Sequence, residues 1–400
     1  MIIRQEYTEK LKAFKDKQLI KVVSGIRRCG KSTLLRMFQE DLIESGVGKD
    51  QIISINFEDP DYVYLTSYKA LYDYIKERLL PDKKNYIFLD EIQNVTDYQK
   101  AVDGLFIKEN VDVYITGSNA YFLSGELSTL LSGRYVEIKM LPLSFKEYLS
   151  ALPDKIDLPA KYTQYLTHSS FPYTLELGND EIRTYLDGIY NTVILKDVVQ
   201  RKNIADVSGL ENIIKFMFDN IGNITSPKKI SDTLGSSGRK ISNHTVENYL
   251  SALIDSFILY KTSRYDVKGK QYLRTSEKYY LVDIGLRYFL LGSKKADIGR
   301  ILENIVYLEL LRRGYEVYIG KVGNLEVDFV AIKRGISGDV EYYQVAQTVQ
   351  LPETWEREMK PLESIKDHNP KFLLTLDNEP VSSHKGIKQI YALDWLLEYH

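Results

Sequence analysis

Apolar positions along the chain change period several times, and the changes divide it into segments. Leu19-Ile-Lys-Val-Val-Ser24, Tyr86-Ile-Phe-Leu-Asp90, Val111-Asp-Val-Tyr-Ile-Thr116 and Tyr135-Val-Glu-Ile-Lys-Met140 are short, largely apolar runs. Such runs suit strands covered on both faces, and Leu34-Leu-Arg-Met-Phe38 continues the first of them as a helix. Residues 1–150 therefore predict an α/β layer with a parallel sheet, and 151–207 a helical lid or linker. Between 208 and 292 helices come first and short strands after. Gly209–Asn220 is one helix, Ser226-Pro-Lys-Lys opens a second, and Ser242–Ser256 places Val246, Tyr249, Leu250, Leu253 and Ile254 on one buried face, with Asn243, His244 and Glu247 outward. Phe257–Tyr260 and Tyr279–Val282 flank a loop carrying Lys261, Arg264, Lys268, Lys270, Arg274 and Lys278. The order predicts a winged helix with a basic wing suited to DNA phosphate, or equally to subunit packing. Residues 293–400 open with an amphipathic helix, Gly299–Arg313, and continue as alternating strands Tyr315–Tyr318, Leu325–Ile332 and Val340–Ala346.

The chemistry is concentrated in the first segment. Gly25-Ile26-Arg27-Arg28-Cys29-Gly30-Lys31-Ser32-Thr33 is a complete G-x-x-x-x-G-K-[ST] loop between a strand and a helix. Its glycines allow successive N–H groups to face phosphate oxygens, Lys31 supplies a mobile charge, and Ser32 offers a hydroxyl to Mg²⁺. Asp90 and Glu91 end the second run, and in a parallel sheet ligands collect at the carboxyl ends of strands. Asp90 then joins Ser32 as a metal ligand, and Glu91 is the candidate general base for water. Ser118 or Asn119 follows the third run as a candidate sensor of the γ-phosphate, and Arg134 is the candidate arginine finger for a neighbouring subunit's nucleotide. No guanine-specifying N-K-x-D is present, which favours ATP.

Composition narrows the remainder. A formal charge of −2 gives no global pull toward nucleic acid or anionic lipid, so a DNA footprint has to be local. One cysteine, Cys29, excludes an intrachain disulfide framework. No long uncharged apolar run or leader-like start occurs, so a cytoplasmic protein without membrane attachment is expected.

The motifs Gly25–Thr33, Phe88-Leu-Asp-Glu-Ile-Gln93, Ile115-Thr-Gly-Ser-Asn119, Leu131-Ser-Gly-Arg134 and Leu141-Pro-Leu-Ser-Phe145 together resemble the bacterial and archaeal AAA-type P-loop ATPases that carry a C-terminal domain of unknown function. The resemblance implies ATP and Mg²⁺ as ligands, hydrolysis, and association into a homo-oligomer such as a hexameric ring. It also leads one to expect paired glycines before Phe171-Pro172, where this chain has Ser169-Ser170. The last segment looks like a restriction-endonuclease-type core, in which an acid on the first helix, an aspartate on one strand and an acid-x-lysine on the next hold Mg²⁺. Glu303 and Asp328 match the first two positions, but Gln344 and Ala346 stand at the last two. A degenerate, inactive core is expected unless Lys321 or another side chain supplies the missing cation. Three readings follow: an ATPase that remodels DNA or a protein–DNA complex, a nucleotide-controlled switch acting on a protein partner without DNA, and an ATPase joined to an active nuclease.

Overall fold

The computed structural model describes residues 2–118, 131, 133–152, 157–202, 204–236, 238, 240–269, 271–292, 297–333 and 338–397, with some side chains in 193–201 and 272–276 left out. Asn119 lies outside the described residues. The chain divides into two compact units, Met1–Pro142 with Asp255–Phe257, and Leu143–Ile254 with Ile258–His400.

The first unit is built on a five-stranded parallel sheet. Its elements are α1 (Gln5–Phe14), β1 (Ile20–Ser24), α2 (Lys31–Glu44), β2 (Ile52–Asn56), α3 (Tyr68–Lys76), β3 (Asn85–Asp90), α4 (Tyr98–Phe106), β4 (Val111–Gly117) and β5 (Tyr135–Lys139). The strand order is β2-β3-β4-β1-β5. Every residue of β1, β3 and β4 is buried, the consequence of helices on both faces. Helix α2 buries Leu34, Leu35, Phe38 and Leu42 at three- and four-residue spacing, and Phe88 and Tyr114 stack with centroids 4.7 Å apart on adjacent strands. Parallel register brings the strand ends level: Ser24 pairs with Gly117 and with Lys139, and Asn56 with Asp90. The phosphate loop and the two acids therefore emerge at the carboxyl ends of the strands of one sheet. Strand β2, which the sequence reading did not single out, forms the far edge next to β3.

The second unit contains α5 (Leu158–His168), α6 (Asn179–Ile189), α7 (Val207–Asp219), α8 (Pro227–Ser236), α9 (Asn243–Asp255), the hairpin β6 (Leu259–Asp266) and β7 (Gln271–Leu281), α10 (Ile284–Leu291) and α11 (Ile298–Arg312). Beyond these lie β8 (Tyr315–Val322), β9 (Leu325–Lys333), β10 (Val340–Ala346), α12 (Pro352–Glu363), β11 (Lys371–Thr375), β12 (Ser382–His384), β13 (Ile387–Tyr391) and α13 (Ala392–Leu397). One eight-stranded sheet runs β12-β13-β11-β10-β9-β8-β6-β7. The hairpin expected as a separate wing pairs through β6 with β8, Arg264 opposite Ile319, so the sheet is continuous across residue 292. Its strands are longer than expected and its turn shorter. Lys278 accordingly lies within β7 and is buried, and Lys261 pairs with Glu277 at 2.9 Å. The expected loop of free cations is thus reduced at two positions.

The Ser169-Ser170 turn is held by α10. Ser170 donates through its N–H and hydroxyl to Asp283 at 2.7 and 2.6 Å, and Asp283 also caps α10 by accepting from the Leu286 N–H at 2.8 Å. Ser169 adopts φ 76° and ψ 155°, a region suited to glycine. A glycine on the facing helix permits the close approach: a Cβ on Gly285 would stand 2.4 Å from Ser169 Cα.

Candidate nucleotide-binding site

Tight backbone geometry shapes the loop after β1. Gly25 has φ 153°, and a Cβ there would meet the Met140 carbonyl at 2.2 Å, so only glycine lets the loop pass the end of β5. Gly30, at φ 104°, immediately precedes α2, whose first turn supplies N–H groups toward an anion. Arg28 also takes a left-handed conformation, φ 71°, with its side chain exposed. Ile26 and Cys29 are buried beneath the loop, and burial pushes the Cys29 thiol up, making it a packing residue. Arg27 pairs with Glu58. Thr33 is half-buried, whereas Ser32 is exposed on the first turn of α2.

Lys31 turns back over the loop it follows. Its ammonium donates to the Gly25 carbonyl at 3.0 Å and the Ile26 carbonyl at 3.3 Å, and lies 3.6 Å from Glu91 Oε1. Asp90 is buried at the end of β3. Burial raises its pKa, while hydrogen bonds from Ser32 and Thr116 oppose the rise. The Thr116 hydroxyl donates to Asp90 at 2.5 Å and accepts from the Glu91 N–H at 2.9 Å, so one β4 side chain orients both acids. Glu91 has φ 54° and ψ 45°, strained for a residue with a Cβ, which turns it off the strand toward Lys31. Gln93 donates to Glu91 Oε2 at 2.5 Å and approaches Ser118 Oγ at 3.4 Å.

The structure thus brings Lys31, Ser32, Asp90 and Glu91 together. Arg134 pairs within its own chain with Asp103, its guanidinium 5.6 Å from the Phe106 ring, and its side chain is 46% exposed. Three contributors escaped the sequence reading. Thr116 and Gln93 were legible only as neighbours of named positions. Arg4, in the N-terminal segment, donates to the Cys29 carbonyl at 3.1 Å and the Leu141 carbonyl at 2.8 Å, fastening the loop to the end of β5; no local motif marks it.

The C-terminal acids are also close together. Glu303 on α11 accepts from Lys278 at 2.9 Å and from the Tyr280 hydroxyl at 2.7 Å. Asp328 accepts from the Val345 N–H at 2.9 Å, and Gln344 donates to Glu358 at 2.8 Å.

A phosphate loop, a strand-end acid pair and the strand order of the sheet define a P-loop ATPase of AAA type, an enzyme that hydrolyses ATP. An AAA domain family matches residues 17–149, and a domain of unknown function matches residues 159–297. An uncharacterised protein of Haemophilus influenzae is 42% identical across 100% of this chain and 99% of its own length. A second, from Methanocaldococcus jannaschii, is 33% identical over 90% of this chain and 80% of its own. A solved Walker-type ATPase of Pyrococcus abyssi is 15% identical, covering 72% of this chain and 96% of its own with a TM-score of 0.49. The chain belongs to the family of bacterial and archaeal AAA-type ATPases with a C-terminal domain of unknown function. Among the described residues no helix is long and apolar enough to cross a membrane.

Proposed function

We propose that the protein is a Mg²⁺-dependent ATPase whose nucleotide state drives a change in a bound DNA or protein–DNA complex. The observation that carries the catalytic half is the convergence of Lys31, Asp90 and Glu91 under the shared hydroxyl of Thr116. Lys31 exchanges its loop carbonyls for the β- and γ-phosphates, and the α2 N–H groups hold the remaining oxygens. Ser32 and Asp90 present a hydroxyl and a carboxylate, the hydroxyl favouring the charged form of the acid, and this hard oxygen pair fits Mg²⁺. The ion supplies charge neutralisation for the transferring phosphoryl group. Glu91, held by Gln93, takes the proton of the attacking water. Arg134 exchanges Asp103 for a neighbouring subunit's nucleotide in a ring-like homo-oligomer, hexameric in the simplest case, and Asn119 acts as the sensor. Titration calorimetry tests the binding half: Lys31→Ala is expected to lose ATP affinity, and Ser32→Ala to lose the gain that Mg²⁺ gives.

For the partner, the exposed Asn243, His244 and Glu247 on α9 and the exposed Lys268 beside the hairpin turn are the proposed DNA face of a winged helix. Filter binding to duplex, single-stranded and branched DNA across a salt series tests this, and no binding at low salt removes it. The burial of Lys278 and the pairing of Lys261 favour the second reading, a switch acting on a protein partner without DNA. The C-terminal sheet is read as a degenerate restriction-endonuclease-like core that does not cut, because Gln344 is turned to Glu358 and the cation that does stand among the acids, Lys278, is held by Glu303 and Glu326.

A further inference from the structure

Three carboxyl groups of the second unit face one ammonium. Lys278 Nζ lies 2.9 Å from Glu303 Oε1, 2.9 Å from Glu326 Oε1 and 3.9 Å from Asp328 Oδ1, with only 6% of the lysine side chain exposed. The lysine reaches the cluster from β7, two residues before Tyr280, whose hydroxyl donates to the same Glu303 oxygen. Backbone packs close on the other side, where a Cβ on Gly222 would stand 3.2 Å from Glu303 Oε2. Asp328 Oδ2 is taken by the Val345 N–H, and Gln344, the neutral member of the nuclease-like pattern, donates to Glu358. Among the described residues no three or more Asp, Glu, His or Cys side chains are grouped as a metal ion requires. The residues present therefore do not fit a resident divalent ion as they stand, and a lysine cation stands among them.

We infer that Lys278 is a built-in cation that takes the place of a divalent metal, so that Glu303, Glu326 and Asp328 form a metal-type site closed by the protein's own chain. An ammonium neutralises carboxylates through three N–H donors, but it offers no coordination position at which water is activated. The same contact ties the hairpin strand β7 to α11 and β9. Burial, followed by repulsion from Glu303, holds the Asp328 carboxyl well above the usual carboxylate range. Glu303 and Glu326 share the ammonium of Lys278 at 2.9 Å each. With that charge removed and space opened, a hard divalent ion is the natural replacement.

Mn²⁺ binding tests the inference, followed by electron paramagnetic resonance and calorimetry on the full chain without nucleotide, in an Asp90→Ala background that removes the phosphate-loop site. The Lys278 protein is expected to bind no Mn²⁺ in the second unit, and its melting temperature is expected to be the same in EDTA and in Mn²⁺. Lys278→Ala is expected to gain an Mn²⁺ site that the parent lacks, about tenfold or more tighter than any residual Mn²⁺ binding by the parent, and to lose it again when Glu303→Gln and Glu326→Gln are added. Lys278→Gln, uncharged and of similar length, serves if the alanine variant does not fold in EDTA, and rescue of either variant's folding by Mn²⁺ supports the inference equally. Variants that bind no tighter than the Lys278 protein, or that Mn²⁺ does not rescue, overturn it, as does Mn²⁺ binding to the Lys278 protein that disappears with Glu303→Gln. Because nucleotide is absent, the outcome is independent of the ATPase reading.

Discussion

Replacing Lys21 by methionine strips one charge from a pair sealed in the sheet near the starts of β1 and β4, at the strand ends opposite the phosphate loop, and the structure sets how much that costs. Lys21 and Asp112 are 0% and 1% exposed in their side chains and form an ion pair between β1 and β4, the strands carrying the loop and Thr116. Burial lowers the pKa of Lys21, attraction to Asp112 opposes the shift, and the ammonium also donates to the Lys17 carbonyl at 2.8 Å. Removing one member of such a pair costs about 3–5 kcal/mol, because the other remains desolvated. At roughly 2–4 °C per kcal/mol for a domain of this size, Lys21→Met is expected to melt about 10 °C lower. Asp112→Ala should cost more, since Asp112 Oδ2 also accepts from the Asp16 N–H at 2.9 Å and the Tyr114 hydroxyl at 2.8 Å. Each orphaned neutral donor adds about 1–3 kcal/mol. The double variant Lys21→Met/Asp112→Asn should recover much of the loss, because an asparagine oxygen at the Oδ2 position keeps both of those acceptor roles without a charge. Urea unfolding of the parent, Lys21→Met, Asp112→Asn and the double variant closes the cycle, with a coupling of about 2–3 kcal/mol expected. Lys21→Met within about 1 kcal/mol of the parent, or a double variant no more stable than the sum of the singles, would refute the reasoning.

Other expectations come from single contacts. Gly285→Ala should destabilise the second unit by about 3 kcal/mol or more, because its new methyl group meets backbone, whereas Ser169→Gly should relieve strain of about 1–3 kcal/mol and offset the lost hydroxyl contact to Phe171; thermal melts check both. Asp90→Asn should raise the melting temperature of the nucleotide-free protein at neutral pH, since burial makes the charged form unfavourable. The gain should shrink as pH falls through the raised pKa, where Asp90 is itself neutral, and melts over a pH series measure it. Thr116→Val removes the hydroxyl that orients both acids and should lower kcat by about tenfold or more with the fold intact, read from steady-state phosphate release. Mixing Arg134→Ala with Glu91→Gln subunits should restore part of the activity if the arginine acts across an interface.

Legibility in the sequence followed burial. The strands β1, β3 and β4 are covered on both faces, so their apolar runs and the motifs at their ends could be read directly, and Lys31, Ser32, Asp90 and Glu91 came together as the spacing predicted. Lys278 was misplaced on a loop because a lysine between Glu277 and Tyr279 looks solvated. Only the extended hairpin register, Lys278 opposite Thr262 and Tyr280 opposite Tyr260, reveals that it shares a face with buried Tyr280. The partnership of β6 with β8 joins residues far apart in sequence and leaves no local trace. Arg4 and Thr116 act on backbone and side-chain atoms from other elements, which a linear pattern does not encode.

The central claim is that Glu91 activates water beside a triphosphate held by Lys31. Its most direct test is phosphate release by Glu91→Gln, with ATP binding to the same protein measured in parallel. Retained ATP with turnover reduced by about 10²–10⁴-fold is the result predicted; turnover at the parent rate, or no ATP bound by the parent protein, would contradict the account.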